Sequence, residues 1–157
     1  MVVRSVTPQD KHKIHQLIEQ RGTFNAKEIQ VAMELVEDAL NHPEKSDYHV
    51  FCALDRFDRL VGYICFGPVP MTDGCYDLYW IAVDEKFSRQ GIGGRLLERM
   101  EEFTIMRNAR RIYVETSSTE PYNAARTFYA RHGYGVVSVL EDFYRKGDDK
   151  IILMKEL

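Results

Sequence analysis

The run Tyr76-Asp77-Leu78-Tyr79-Trp80-Ile81-Ala82-Val83 is apolar or aromatic except for one aspartate. It shows no strict polar alternation and is too short to cross a membrane, so it reads as a central strand covered on both faces. Asp84-Glu85-Lys86-Phe87 links it to a glycine-rich turn, after which a helix over Gly91–Ala109 turns Leu96, Leu97, Met100 and Phe103 inward. Arg111–Glu115 follows as another strand. A strand, a helix and a strand in this order form a βαβ unit, whose crossover is right-handed and whose strands are parallel. The rest of the chain must be arranged around that unit.

Before it, Val2–Val6 reads as a strand, and Thr7-Pro8 reads as the N-cap and first position of a helix reaching about Gln20. A second helix over Ala26–Asn41 carries Ile29, Met33, Val36 and Leu40 at helical spacing, with Glu28, Glu34, Glu37 and Asp38 on its other face. His49–Leu54 and Leu60–Phe66 read as strands joined by an Asp55–Asp58 turn. After the βαβ unit come a helix over Tyr122–Arg131, stopped by His132-Gly133, and strands over Tyr134–Leu140 and Lys150–Leu153, with Tyr144–Asp149 as the turn between them. The order is β-α-α-β-β-β-α-β-α-β-β. The early hairpins are antiparallel, so the expected fold is α/β with a mixed sheet flanked by helices, in one domain spanning residues 1–157.

Composition narrows the function classes. Hydrophobic residues are 45% and charged residues 29% of the 157, ordinary globular values. The net charge of -3 lacks a nucleic-acid footprint, and Arg107, Arg110 and Arg111 gather at a helix end, where the dipole favours them. No membrane partner is expected. The N-terminus becomes polar too early for a secretory signal, so the expected location is the cytoplasm. Cys52, Cys65 and Cys75 have no metal-ligand spacing and read as buried or half-buried thiols; no metal is expected. The aromatic and apolar stretch Tyr134–Leu140 with Phe143-Tyr144 supplies either ordinary core or an exposed edge for a homodimer.

Two segments carry chemistry. Gly91 and Gly93 precede or open a helix whose first N–H groups are free, a place suited to phosphate or pyrophosphate, although a tight, well-packed turn would use the same glycines. It is not a P-loop, because Gly94-Arg95-Leu96 stands where Gly-Lys-Ser/Thr would be needed, nor a dinucleotide fingerprint, because Leu96 occupies the third glycine position. The second segment, Asn123 to Tyr134, reads as a short amphipathic helix with Phe128 in the core and Tyr129 either half-buried for structure or aimed at an open sheet edge.

Together these segments resemble the GCN5-related N-acetyltransferase (GNAT) superfamily. Leu78-Tyr79-Trp80-Ile81-Ala82-Val83 followed by Ser88-Arg89-Gln90-Gly91-Ile92-Gly93-Gly94 is similar to its acetyl-CoA motif, and Asn123-x-x-Ala-x-x-Phe-Tyr129-x-x-x-Gly133-Tyr134 to its second conserved segment. One position departs: Ser88 stands where the family's loop usually has Gln or Arg, and Arg89 is displaced by one. The resemblance implies a sheet that splays after Val83 to admit coenzyme A. Loop N–H groups from Arg89 to Gly94 would hold the pyrophosphate, with Ser88 beginning the loop. Ile81, Ala82 and Val83 would bind the pantetheine arm, and Asn123 the pantetheine or phosphates.

The implied activity is direct acetyl transfer from acetyl-CoA to a primary amine of a small molecule or amino acid, within a ternary complex. A protein lysine or N-terminal acceptor, and a non-catalytic acetyl-CoA sensor, are the alternatives. Tyr129 is the candidate acid for the departing thiolate, and a backbone N–H near Ile81 or Ala82 the donor to the thioester oxygen. Asp77 is the candidate base, sharing a face with Tyr79, Ile81 and Val83 by the two-residue period of a strand. A water chain, or a structural role for Asp77 at a turn or beside an arginine, is the rival. The Arg21–Ala26 turn and the acidic second helix are expected to wall the acceptor site.

Overall fold

The computed structural model describes residues 1–157. Its elements are β1 (Val2–Ser5), α1 (Asp10–Arg21), α2 (Ala26–Asn41), β2 (His49–Leu54), β3 (Leu60–Pro68), β4 (Cys75–Val83), α3 (Ile92–Ile105), β5 (Arg111–Ser117), α4 (Asn123–Arg131), β6 (Gly135–Arg145) and β7 (Asp148–Glu156). The order along the chain is the expected one. All seven strands form one sheet, ordered β1-β2-β3-β4-β5-β7-β6. Only β4 and β5 are parallel, as a helical crossover between them requires. The sheet is thus mixed, with α1 and α2 on one face and α3 and α4 on the other.

Each face has its own core. Ile14, Leu17 and Ile18 of α1 and Ala32, Val36 and Ala39 of α2 bury against Val50, Cys52, Tyr63 and Cys65. Leu96, Leu97 and Met100 of α3 bury against Phe51, Ile64, Phe66, Leu78 and Ile112 on the opposite face. Cys52 and Cys65 are buried and Cys75 half-buried, free thiols in each case. No helix is long and apolar enough to cross a membrane.

Two local departures have physical causes. Thr7 does not cap α1, which begins at Asp10. The Asp10 carboxylate is fully buried and accepts the Thr7 N–H (2.7 Å), the Thr7 hydroxyl (2.9 Å) and two bonds from Arg4 (2.7 and 3.1 Å). Burial alone would raise its pKa, but these donors outweigh burial and hold it below the usual carboxylate value. An ion pair between β1 and α1 therefore sets the helix start. At the other end of the chain, β6 and β7 extend through residues that read as a polar turn. The reversal is confined to Lys146-Gly147, with Gly147 at φ 83°. Asp148, 5% exposed, accepts bonds from the Ser117 hydroxyl and the Arg145 guanidinium, which draws this charged stretch into regular pairing.

Candidate active site

The sheet opens at its centre. β4 and β5 pair from Cys75 opposite Arg111 to Leu78 opposite Val114, and no further. The parting therefore comes after Leu78, earlier than the expected Val83. Its cause lies in β4. Opposite β3, Cys65 pairs with Trp80 while Phe66 pairs with Leu78, so Tyr79 is an extra residue, a β-bulge. The bulge bends β4 away from its parallel neighbour at the point where their pairing ends.

The bulge also reverses the side-chain alternation. Tyr76 and Leu78 lie in the α3/α4 core; beyond the bulge, Ile81 and Val83 pack on that core, while Trp80 and Ala82 lie with α1 and α2. Asp77 thus shares the α1/α2 face with Tyr79, Trp80 and Ala82. Strict alternation predicts that Asp77 shares a face with Ile81 and Val83; the bulge at Tyr79 puts them on the opposite one.

Backbone direction follows from the same register. The Asp84 N–H donates to Val61 O at 2.9 Å, and the Val69 N–H to Cys75 O at 2.8 Å. In an antiparallel ladder bonded and non-bonded pairs alternate. Counting from both anchors turns Ala82 toward Tyr63 in β3, and turns the N–H and C=O groups of Ile81 and Val83 into the fork. Ala82 is therefore removed as an oxyanion donor and as a pantetheine partner through its backbone; Ile81 and Val83 remain. The Val83 carbonyl accepts from Arg21 Nη1 at 3.1 Å, a contact from the end of α1.

At the mouth of the fork, the chain passes through Ser88, Arg89, Gln90 and Gly91, all exposed, into α3. Arg89 and Gly91 take left-handed conformations, with φ 63° and 78°. The first helical bond runs from the Arg95 N–H to Gly91 O at 3.0 Å, so the N–H groups of Ile92, Gly93 and Gly94 have no helical acceptor. These donors, at the positive end of the α3 dipole, fit a phosphate group. The three glycines have separate reasons. At Gly91 the backbone sign requires one, and a Cβ would meet open space. At Gly93 a Cβ would sit 2.9 Å from Phe128 Cζ, and at Gly94 2.9 Å from His132 Nε2. Gly93 and Gly94 therefore admit α4, rather than only clearing the way for an anion. Asn123, the exposed first residue of α4, is the remaining residue expected at the cofactor.

Asp77 and Tyr129 lie on opposite faces of the sheet. Tyr129 is 6% exposed and belongs to the core cluster that holds Leu78 and Val114, the last pair before the parting. Burial alone pushes its phenol well above the ordinary value, so it stays protonated. The Asp77 carboxylate is raised first by burial and second by Glu115, with Lys150 acting in the other direction. Lys150 itself pairs with Glu115 at 2.8 Å. The rival roles for Asp77, an arginine partner or a turn cap, find no contact.

Around Asp77 the face is aromatic and acidic. Tyr79 stacks edge-on against Tyr48 with ring centres 5.5 Å apart, and burial followed by Asp77 pushes its phenol up to about 12. Phe24, in the α1–α2 turn, meets Trp80 at 5.0 Å, which places that turn on β4 as expected. Tyr122 and Tyr144 are raised by burial and then by nearby carboxylates, Glu28 and Asp148 for Tyr122 and Glu115 first for Tyr144. Of the four acidic residues of α2, only Glu28 comes near these tyrosines. Glu37 pairs with Lys11, Asp38 binds Ser46, and Glu34 accepts from Gln30. Sequence reasoning missed Tyr122, Tyr144 and Glu115, which only the sheet order β5-β7-β6 brings together.

Residues 46–136 match the family model described as an acetyltransferase (GNAT) domain, and the chain belongs to the GNAT family. A crystal structure of a Desulfovibrio desulfuricans protein assigned to the same family is similar along nearly its whole length: 39% identity, 99% of this chain and 98% of that one, TM-score 0.94. An uncharacterised N-acetyltransferase of Methanocaldococcus jannaschii is 26% identical over 143 residues, covering 85% of this chain and 88% of that protein. An aminoglycoside 6'-N-acetyltransferase solved with coenzyme A shares the fold, with TM-score 0.77 at 19% identity over 99% of this chain and 97% of that one.

Proposed function

We propose that this acetyltransferase moves the acetyl group of acetyl-CoA directly to the primary amine of a small cationic molecule or amino acid. The observation that carries the reading is the fork. An open β4 edge leads from Ile81 and Val83 to the free N–H groups of Ile92–Gly94, with Asp77 on one face of the sheet and Tyr129 in the core on the other. The cofactor supplies the acetyl group activated as a thioester. The fold-mate crystallised with coenzyme A supports the choice of cofactor.

Each residue then has a task. The α3 N-terminus and the loop Ser88–Gly91 hold the pyrophosphate, and Ile81 and Val83 align the pantetheine arm as a further strand would be aligned. The Ile81 N–H donates to the thioester oxygen as negative charge grows there. Asp77, raised and without a salt-bridge partner, takes a proton from the attacking amine on the α1/α2 face. Tyr129 gives its proton to the departing sulfur on the other face. Arg21 leaves or shares the Val83 carbonyl when the arm binds.

The acceptor class follows from the wall around Asp77. Asp77, Glu115 and Glu28 lie among Tyr48, Tyr79, Tyr122 and Tyr144, a lining that favours a cation on a compact body. The test is thiol release from acetyl-CoA with a panel of polyamines, amino sugars, amino acids and lysine peptides. A small diamine or amino sugar should give the highest kcat/KM. A preference for peptides would move the acceptor to proteins. Acetyl-CoA binding without release to any amine would leave a sensor.

A further inference from the structure

We propose that two copies of this chain join through their β6 strands into one continuous fourteen-stranded sheet. β6 ends the sheet, and Val136, Val137, Val139, Leu140, Phe143 and Tyr144 on it are each 40–59% exposed. An edge strand normally has one open side and at least one covered face. On β6 both faces are open. Val136 and Val139 pair with Leu153 and Ile151 and so lie on the α3/α4 side, whereas Leu140 pairs with Lys150 on the other side. The stretch Gly135–Leu140 carries neither a charge nor a proline to protect the edge, and its one irregularity is a bulge at Val137. The opposite edge, β1, is only four residues long and carries Arg4.

The occupant is a second copy because the strand is complementary to itself. Val137 is an extra residue between Val136 and Ser138 in the ladder with β7. A two-fold axis at Ser138, perpendicular to the sheet, then sets Val139 of each copy against the Val136-Val137 pair of the other. It sets Leu140 beside the other copy's Gly135, where there is room for a large side chain. Each contact occurs twice, as an isologous interface requires. The same axis brings the acidic pair Glu141-Asp142 to the Arg131–Gly135 end of the other copy. Val136, Val137, Val139 and Leu140 of each copy line this seam, and Phe143 and Tyr144 lie beyond it.

The pairing would also fix the β6–β7 hairpin. Tyr144, on the far part of β6, would then have less freedom in the wall around Asp77.

Three measurements test this. Light scattering at ~100 µM, where weak association is populated, should give twice the 18.3 kDa chain mass. Val137→Lys combined with Val139→Lys, at positions half exposed in one copy, should return the monomer mass with an unchanged circular dichroism spectrum. Ser138→Cys in a Cys75→Ser background should cross-link on oxidation or with a short bis-maleimide, and Ser5→Cys on β1 should not. A monomer at ~100 µM, a dimer that survives the lysine pair, or cross-linking no faster at position 138 than at position 5 would each overturn the proposal. If the lysine pair does not fold, the cross-linking comparison decides alone.

Discussion

Two tyrosines in one core cluster, Tyr129 and Tyr134, have rings 5.9 Å apart and are 6% and 2% exposed. Removing either hydroxyl keeps the ring and should separate chemistry from stability. The Tyr134 hydroxyl donates to Glu101 at 3.1 Å, and Lys155 holds the same carboxylate with two bonds of 2.9 Å. Tyr134→Phe should cost about 1.5–3 kcal/mol, the worth of a hydrogen bond to a charged group. That lowers the melting midpoint by roughly 3–12 °C for a domain of this size. Tyr129 has burial as the sole cause of its shift and no hydrogen bond contributing. Tyr129→Phe should therefore leave the midpoint within about 2 °C, since no bond is broken. As the proposed acid, however, it should lower kcat by ~10²–10⁴, or roughly 3–5 kcal/mol of barrier. Acetyl-CoA affinity should hold, because the loop N–H groups are untouched. The assays are thiol-release kinetics with the best acceptor, calorimetry with acetyl-CoA, and thermal melts of all three proteins. A Tyr129→Phe enzyme within threefold of wild-type kcat, with chemistry limiting, refutes the acid role. A melting loss matching that of Tyr134→Phe refutes the claim that its hydroxyl is structurally idle.

Asp77→Asn should abolish the acid limb of the kcat/KM profile, in which activity rises as the base loses its proton above the ordinary aspartate value. The same change should raise the melting midpoint at pH 7. A carboxyl whose folded pKa is raised binds its proton more tightly when folded, so ionisation destabilises the fold as pH rises through that pKa. Asp10→Ala should cost about 3 kcal/mol, because it strands Arg4 and the Thr7 donors. Asp10 has a lowered folded pKa, so the native contribution is present at neutral pH and lost on acidification through that pKa; melts from pH 7 to pH 3 should converge with those of the variant. Gly91→Glu, at a left-handed φ of 78° with open space around its Cβ, should lose roughly 1–2 kcal/mol of stability. Acetyl-CoA affinity by calorimetry should fall at least tenfold from like charge at the anion site, and unchanged affinity would move the phosphates elsewhere. Gly93→Ala should instead push on the Phe128 ring and lower the midpoint by several degrees, as an overpacked core does.

The element order could be read from the sequence because each helix carries a clear apolar stripe and each break a glycine, a proline or a polar turn. Ala26–Asn41 and His49–Leu54 coincide with their predicted spans. Thr7 misled because a buried partner, Asp10, competes for its hydrogen bonds, and a local cap signal cannot reveal that Arg4 lies beside it. The last hairpin was underestimated because Asp148 and Arg145 look like solvent-facing turn residues until Ser117 is brought near by β5. The loop Ser88–Gly94 and the placement of Tyr129 came through motif resemblance, whereas the division of labour among Gly91, Gly93 and Gly94 depends on α4 and had no local signature. The same holds for the face of Asp77. An apolar strand covered on both sides has no alternation to interrupt, so its one extra residue is silent.

That extra residue, Tyr79, means the opening in the sheet is written as a count rather than as a choice of side chains. Substituting any β4 residue leaves the number of residues between Leu78 and Trp80 unchanged, so the fork should tolerate wide variation in identity along its own edge. Deleting one residue there would do what no substitution can. It would bring β4 back into step with β3, with Ile81 and Val83 still on the α3/α4 side, and let β4 continue alongside β5 past Val114. Within this stretch, selection can reshape the acceptor wall freely through Asp77, Tyr79 and Trp80, while the cleft itself is inherited as a fixed length.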